Sequence, residues 1–314
     1  MRGLDKLVGA RIASTVLCCL LALAPIACRS ENLRVLVALS DNSAPYKSFA
    51  NTLSKSLPAP IQSTVLERPD VTTSPAQVDL IVAVGMKASL SALKQTGVPV
   101  LVVMIPRVGY EELLAQAFPQ KHAEAISAIY LDQPWPRQLD FIQAALPRQR
   151  RIGLLYSPNA RIDLAQLRQQ ISERGGTLVA KPVLSADTLF STLDDVLGNC
   201  DVLLALPDNF IYNSTNIRNI LLSSYRFNVP FIGLSQAYVT AGALGAIFAS
   251  PQQVSDQVVS TILSFSRSGK LPAPQYPRDF SISLNPEVGI SLDIELFSTD
   301  VIRGRMNSAN KDAP

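Results

Sequence analysis

Ile152-Gly-Leu-Leu-Tyr156, Thr177-Leu-Val-Ala180, Asp201-Val-Leu-Leu-Ala-Leu206 and Val229-Pro-Phe-Ile-Gly-Leu234 are four short apolar runs. Each is followed by a polar turn and then an amphipathic stretch. The runs are too short for helices and rich in Val, Ile and Leu, which suits strands covered on both faces. Their alternation with helical segments predicts βαβ units around a parallel sheet. Such sheets bind ligands beyond the carboxyl ends of their strands. The exit turns Pro207-Asp208-Asn209 and Ser235-Gln236 are therefore the places to look for chemistry.

The preceding half repeats the scheme. Leu33–Leu39, Asp79–Val84 and Val98–Ile105 read as strands, with Ile61–Leu66 a weaker one. A fifth run, Ala125–Leu131, stops at Asp132-Gln-Pro-Trp-Pro136, where two prolines end the strand. This marks a boundary between two lobes of similar build. One open sheet of about ten strands would be unusual.

Composition narrows the function classes. The chain has 314 residues, enough for two domains with a core each. Lys and Arg number 28 against 25 Asp and Glu, and residues 1–27 supply Arg2, Lys6 and Arg11 against Asp5. The remainder is nearly neutral, so no basic field points to nucleic acid. Arg148, Arg150 and Arg151 read as a solvated helix end.

Those first residues read as a secretory signal over residues 1–27. Basic side chains precede the apolar run Ile12–Ala24, which is short for a membrane span. Two cleavage readings stand. Ala22-Leu23-Ala24 carries small residues at signal-peptidase spacing, and Pro25-Ile26-Ala27-Cys28 is similar to a lipobox, with Cys28 as the lipid attachment point.

Cysteine and histidine are sparse. Cys18 and Cys19 lie in the signal, which leaves Cys200 as a lone small hydrophobe beside a strand. The single histidine, His122, cannot build an ordinary metal site, and no Gly-x-Ser-x-Gly, Gly-x-x-x-x-Gly-Lys-Ser/Thr or Gly-x-Gly-x-x-Gly motif occurs. No cofactor, metal or catalytic residue is expected, and an enzyme ranks last.

From Ile129 to Leu296 the chain resembles the ABC-transporter substrate-binding proteins of the tryptophan- and tyrosine-type periplasmic group. The resemblance is carried in order by Asp132–Ile142 with Leu146-Pro147, Arg151–Tyr156, Cys200–Asn209, Val229-Pro230-Phe231, Gly242-Ala243-Leu244 with Ala249-Ser250-Pro251, and Leu284-Asn285-Pro286 with Gly289-Ile290. It implies an α/β fold of two Rossmann-like lobes with parallel sheets, joined by a three-segment hinge (periplasmic binding protein type I). It implies a first lobe of residues 28–131 plus 272–306 and a second lobe of 132–271; residues 307–314 are polar and read as a flexible tail. The crossings fall near Leu131–Pro136, Ala249–Pro251 and Leu271–Arg278. The first half departs from the family at Gly85-Met86-Lys87-Ala88 and at Ile105-Pro106-Arg107-Val108-Gly109.

A cleft between such lobes would be faced by strand-end turns. Ser40, Gly85, Met86 and Ile105 come from the first lobe, and Tyr156, Asp208, Asn209 and Ser235 from the second. Gly85 opens a helix at Met86 whose N–H groups suit an anion. Asp208 suits an ammonium and Asn209 both donates and accepts, although the pair equally suits a turn or helix cap. Trp135, between two prolines, reads as hinge packing. The expected role is a periplasmic, monomeric solute-binding protein. It would capture a small molecule, such as an amino acid or a related compound, for the permease of an ABC transporter. The alternative is an envelope interaction or regulatory protein whose cleft has degenerated.

Overall fold

The computed structural model describes residues 32–72, 77–94, 97–117 and 125–309. The signal and lipobox readings at residues 1–28, His122 and the last five residues lie outside them. The first sheet contains β1 (Arg34–Leu39), β2 (Gln62–Leu66), β3 (Leu80–Val84), β4 (Val100–Val103) and β5 (Ile126–Ile129). These strands run parallel in the order β2-β1-β3-β4-β5. Strand alternation splits the buried residues between two faces. Val35, Val37, Leu39, Val82 and Val103 join one cluster, and Leu36, Ala38, Ile81, Ala83 and Val102 the other. Helix α1 (Ala44–Ser56) covers the first face through Phe49 and Leu53. Helices α2 (Met86–Leu93) and α3 (Arg107–Ala117) cover the second through Ala88, Ala92 and Leu113.

The second lobe begins with α4 (Trp135–Ala145), started by Pro134 as its N-cap and Pro136 in its first turn. It continues through β6 (Arg151–Tyr156), α5 (Leu164–Glu173), β7 (Thr177–Pro182), α6 (Leu189–Leu197) and β8 (Val202–Leu204). Then come α7 (Ile217–Arg226), β9 (Phe231–Gly233), α8 (Gln236–Ala241) and β10 (Gly245–Phe248). Read from the far edge, its sheet runs β7-β6-β8-β9-β10 and ends on β11 (Ser281–Leu284). Its first five strands repeat the order of the first lobe, so the expectation of two lobes of like build holds.

The tail does not go where the sequence suggested. Helix α9 (Pro251–Ser268) belongs to the first lobe. It opens with a capping box between Ser250 and Gln253, and Gly269 ends it at φ 67°. Val254, Val258, Ile262 and Phe265 recur on one face and enter the cluster beneath β1 and β3. Each such burial stabilises by roughly 1.5–3 kcal/mol, an upper figure for a chain that is partly compact when unfolded.

The chain then returns. Strand β11 (Ser281–Leu284) pairs antiparallel with β10, and α11 (Thr299–Ala309), which follows the short α10 (Pro286–Ser291), packs on α4. Ile302 and Met306 sit in the second core. The assignment of 272–306 to the first lobe and of all of 132–271 to the second is thus corrected. The three crossings stand where the sequence put them, but an odd number of crossings must end in the lobe opposite the start.

Side chains bind the crossings to one another. Gln257 of α9 donates to Tyr276 O at 3.1 Å and accepts from Arg278 N at 2.8 Å. Arg137 of α4 donates to Pro277 O at 2.8 Å. The rings of Phe280 and Phe297 are each covered by arginine, with Arg303 at 4.5 Å from the first and Arg305 at 3.7 Å from the second.

Candidate functional site

The carboxyl ends of the two sheets face each other across a cavity of about 400 Å³. The first lobe lines it with Met86 at the head of α2 and with Pro106, Arg107, Val108, Gly109, Glu111 and Glu112 at the head of α3. The second lobe contributes Ser157, the turn Asn159–Asp163 after β6, and Leu206–Asn209 after β8. Asp132, Gln133, Trp135, Gln138 and Tyr276 come from the crossings or just beyond them. In the second lobe these are the exits of β6 and β8, the neighbours at which the strand order reverses.

The equivalent point in the first lobe is filled from within. Gly85 has φ 81°, and a Cβ there would lie 2.5 Å from Tyr46 Oη and 2.7 Å from Ser40 Oγ. Ser40 Oγ accepts from Ala88 N at 3.0 Å, taking one of the free N–H groups of α2. Burial raises the Tyr46 phenol above its ordinary value, with the nearby Asp41 charge adding to it. The cavity therefore opens one strand further along, at the exit of β4.

The charged groups of the wall are held in place by local contacts. Arg107 Nε donates to Glu111 Oε1 at 2.7 Å, and Arg107 Nη1 to Tyr276 Oη at 3.4 Å. Both contacts, Tyr276 first, hold the guanidinium further in its charged form. Asp132 Oδ1 accepts from Arg107 N at 2.7 Å and so caps α3. Burial nevertheless raises the Asp132 carboxyl, and this backbone N–H offsets only part of the rise. Asp208 ties two second-lobe turns. Its Oδ2 accepts from Ser157 N at 2.8 Å and its Oδ1 from Phe210 N at 3.0 Å. Asp163 caps α5 by accepting from Gln166 N at 2.9 Å. Behind the wall, Tyr276, Tyr130 and Tyr110 form an aromatic row with centroids 5.1 and 5.8 Å apart.

Of the residues singled out from sequence, Met86, Asp208 and Asn209 line this cavity. Ser40 and Gly85 pack against Tyr46 beside it. Ile105 is buried in the first core, Tyr156 packs against the second, and Ser235 stands at the N-cap position of α8 without a side-chain capping bond; none of these three lines the cavity. Trp135 does both jobs, packing on the second core and lining the cavity. Arg107, Asp132, Gln133 and Tyr276 went unnoticed as site residues. The available signal was that Pro106-Arg107 and Asp132-Gln133 directly follow the ends of β4 and β5. Among the described residues no group of three or more His, Cys, Asp or Glu side chains could hold a metal ion. No helix there is long and apolar enough to cross a membrane.

Two doubly wound lobes with a cavity between their strand ends define the class of two-lobed solute-binding proteins. The chain belongs to the ABC transporter substrate-binding protein family, whose sequence profile matches residues 73–296. Solved structures agree on the fold. The ligand-free, open form of a substrate-binding protein with adhesive properties from Clostridium difficile aligns with TM-score 0.67 at 15% identity, over 85% of this chain and 97% of that one. An ABC domain in complex with L-Trp from Streptococcus pneumonia aligns at 0.59 and 17%, over 87% and 98%. A conserved domain protein from Vibrio cholerae aligns at 0.59 and 16%, with the same coverage. A comparison with curated proteins returns no match.

Proposed function

We propose that this chain is the extracytoplasmic binding component of an ABC-type uptake system. It would capture a small molecule in the interlobe cavity and present the closed form to a membrane permease. The observation that carries this reading is the cavity itself. Its wall combines strand exits of both lobes with residues of the crossings, so one solute would contact every part that moves on closure. An amino acid or related compound fits the wall, because Asp208 offers a fixed carboxylate to an amine and Trp135 a ring to an apolar side chain. Binding and release need no catalytic group. The lobes proposed to move are residues 33–131 with 249–275, and 132–248 with 276–309. The protein would work as a monomer.

The basic start and apolar run before Ala24 support export to the periplasm. Cys28 supports a lipid anchor, and fractionation tests it: Cys28→Ser moves an anchored protein from membranes to the soluble fraction, and unchanged fractionation removes the anchor from the account.

The rival reading, an interaction protein with a degenerate cleft, is favoured by one observation, the filling of the first-lobe switch point by Tyr46 and Ser40. A thermal-shift screen of amino acids, purines, sugars and small peptides separates the two, since only a binder is stabilised by a solute. Asp208→Ala then locates the site. With an amine-bearing solute it should cost about 2–5 kcal/mol of binding, against about 1–3 kcal/mol of stability for the lost hydrogen bonds to the two turns. Full affinity with a lowered melting temperature would confine Asp208 to tying the two turns.

A further inference from the structure

Gln133 stands on the first crossing, 5% exposed, and lines the interlobe cavity. Its side chain is held by one end only: Oε1 accepts from Arg137 Nη1 at 2.6 Å. The same guanidinium donates to Pro277 O and Arg278 O on the third crossing. Arginine can only donate, so this contact settles which end of the amide is oxygen. Nε2 is left buried, with no acceptor among the described residues. A buried donor without a partner is a standing cost that a bound acceptor removes. It is also pre-oriented, because Arg137 is anchored to a different chain segment from the one that carries Gln133.

The charge of the wall says what kind of acceptor belongs there. Five carboxylates line the cavity against two guanidiniums, those of Arg107 and Arg161. Arg107 is already paired with Glu111. Glu112 has no ion pair or hydrogen bond among the described residues, and Asp132 is the chain neighbour of Gln133. Even with the Arg137 guanidinium behind Gln133 counted, carboxylates outnumber guanidiniums there, so the wall draws cations and disfavours an anion. The oxygen that meets Gln133 is therefore a neutral one.

On the reading of the cavity as a solute site, we propose that Gln133 Nε2 is a ligand-binding donor. The solute is small and cationic and carries a neutral carbonyl oxygen, the class of basic amino-acid amides and short basic peptides. A cavity of about 400 Å³ is within the usual range for a solute of that size.

Calorimetric titration of the full chain with three probes tests this. L-argininamide has both the cation and the carbonyl, agmatine keeps the guanidinium without the carbonyl, and L-glutamate is anionic. Wild-type protein should bind L-argininamide about tenfold or more tighter than agmatine and should not favour L-glutamate over either. Gln133→Glu keeps an oxygen for Arg137 and turns the donor into an acceptor. It should reduce L-argininamide affinity about tenfold or more and leave agmatine affinity equal or higher, at an unchanged melting temperature. If that variant fails to fold, Gln133→Met removes the donor and must show the same loss. Equal L-argininamide affinity in wild type and variant overturns the role of Gln133, and tighter L-glutamate binding overturns the charge argument. Binding of only neutral or anionic solutes from the wider screen overturns this inference and leaves solute capture standing. With no stabilising solute at all, both fall.

Discussion

At Gly85 the backbone turns with φ 81°, and the space a side chain would take is already held by Tyr46 and Ser40. A glycine at a strand exit reads from sequence as an open anion cradle. The contact that closes it comes from Tyr46, some 40 residues earlier, and no local pattern announces that. Asp208 was legible because a polar turn after a fully apolar strand has to stand at the sheet edge. Asp132 was seen only as part of a proline-bounded break. Its half-buried carboxyl binds protons more tightly in the fold than in the unfolded chain, so ionising it costs stability. That cost is absent below the ordinary Asp value of 3.8 and grows as pH rises through the raised one. Asp132→Asn keeps an oxygen for Arg107 N and removes the titration. Melting curves of the two proteins should therefore diverge in favour of Asp132→Asn as pH climbs from about 3.5 to 7, and a constant difference across that range would contradict the assignment.

The elements were largely legible in the sequence, because a run such as Leu80–Val84 is continuously apolar and can only be a strand buried on both faces. Their membership was less so. Phe280–Leu284 alternates as an edge strand should, and it is one, with half-buried residues throughout. Alternation specifies one covered face but not the partner sheet. Helix α9 is ambiguous in the same way, since its stripe fits either lobe. The pairing of β11 with β10 and the burial of α11 on α4 make residues 281–309 an integral part of the second lobe. Ile302 is fully buried there. Ile302→Ala should destabilise the protein by about 2–5 kcal/mol, read from denaturant unfolding followed by a second-lobe probe. A change within about 0.5 kcal/mol, the range of an ordinary surface substitution, would show that the tail is only loosely attached.

At the scale of the molecule, two sheets of the same strand order face each other at their carboxyl ends, and three chain crossings hold them in register. Gln257 and Arg137 tie those crossings together, so they form a bonded strap rather than three loose strands. The cavity beside that strap contains a built-in reporter, because the chain has a single tryptophan and Trp135 lines the cavity. The central claim is that solute is held between the lobes. Fluorescence titration of the full chain tests it directly, using whichever solute the thermal-shift screen finds stabilising. The account predicts a saturable change in Trp135 emission, reduced access of acrylamide to the ring, and a midpoint that matches the calorimetric one. A solute that stabilises the protein while leaving both emission and quenching unchanged would place its site elsewhere and contradict the account.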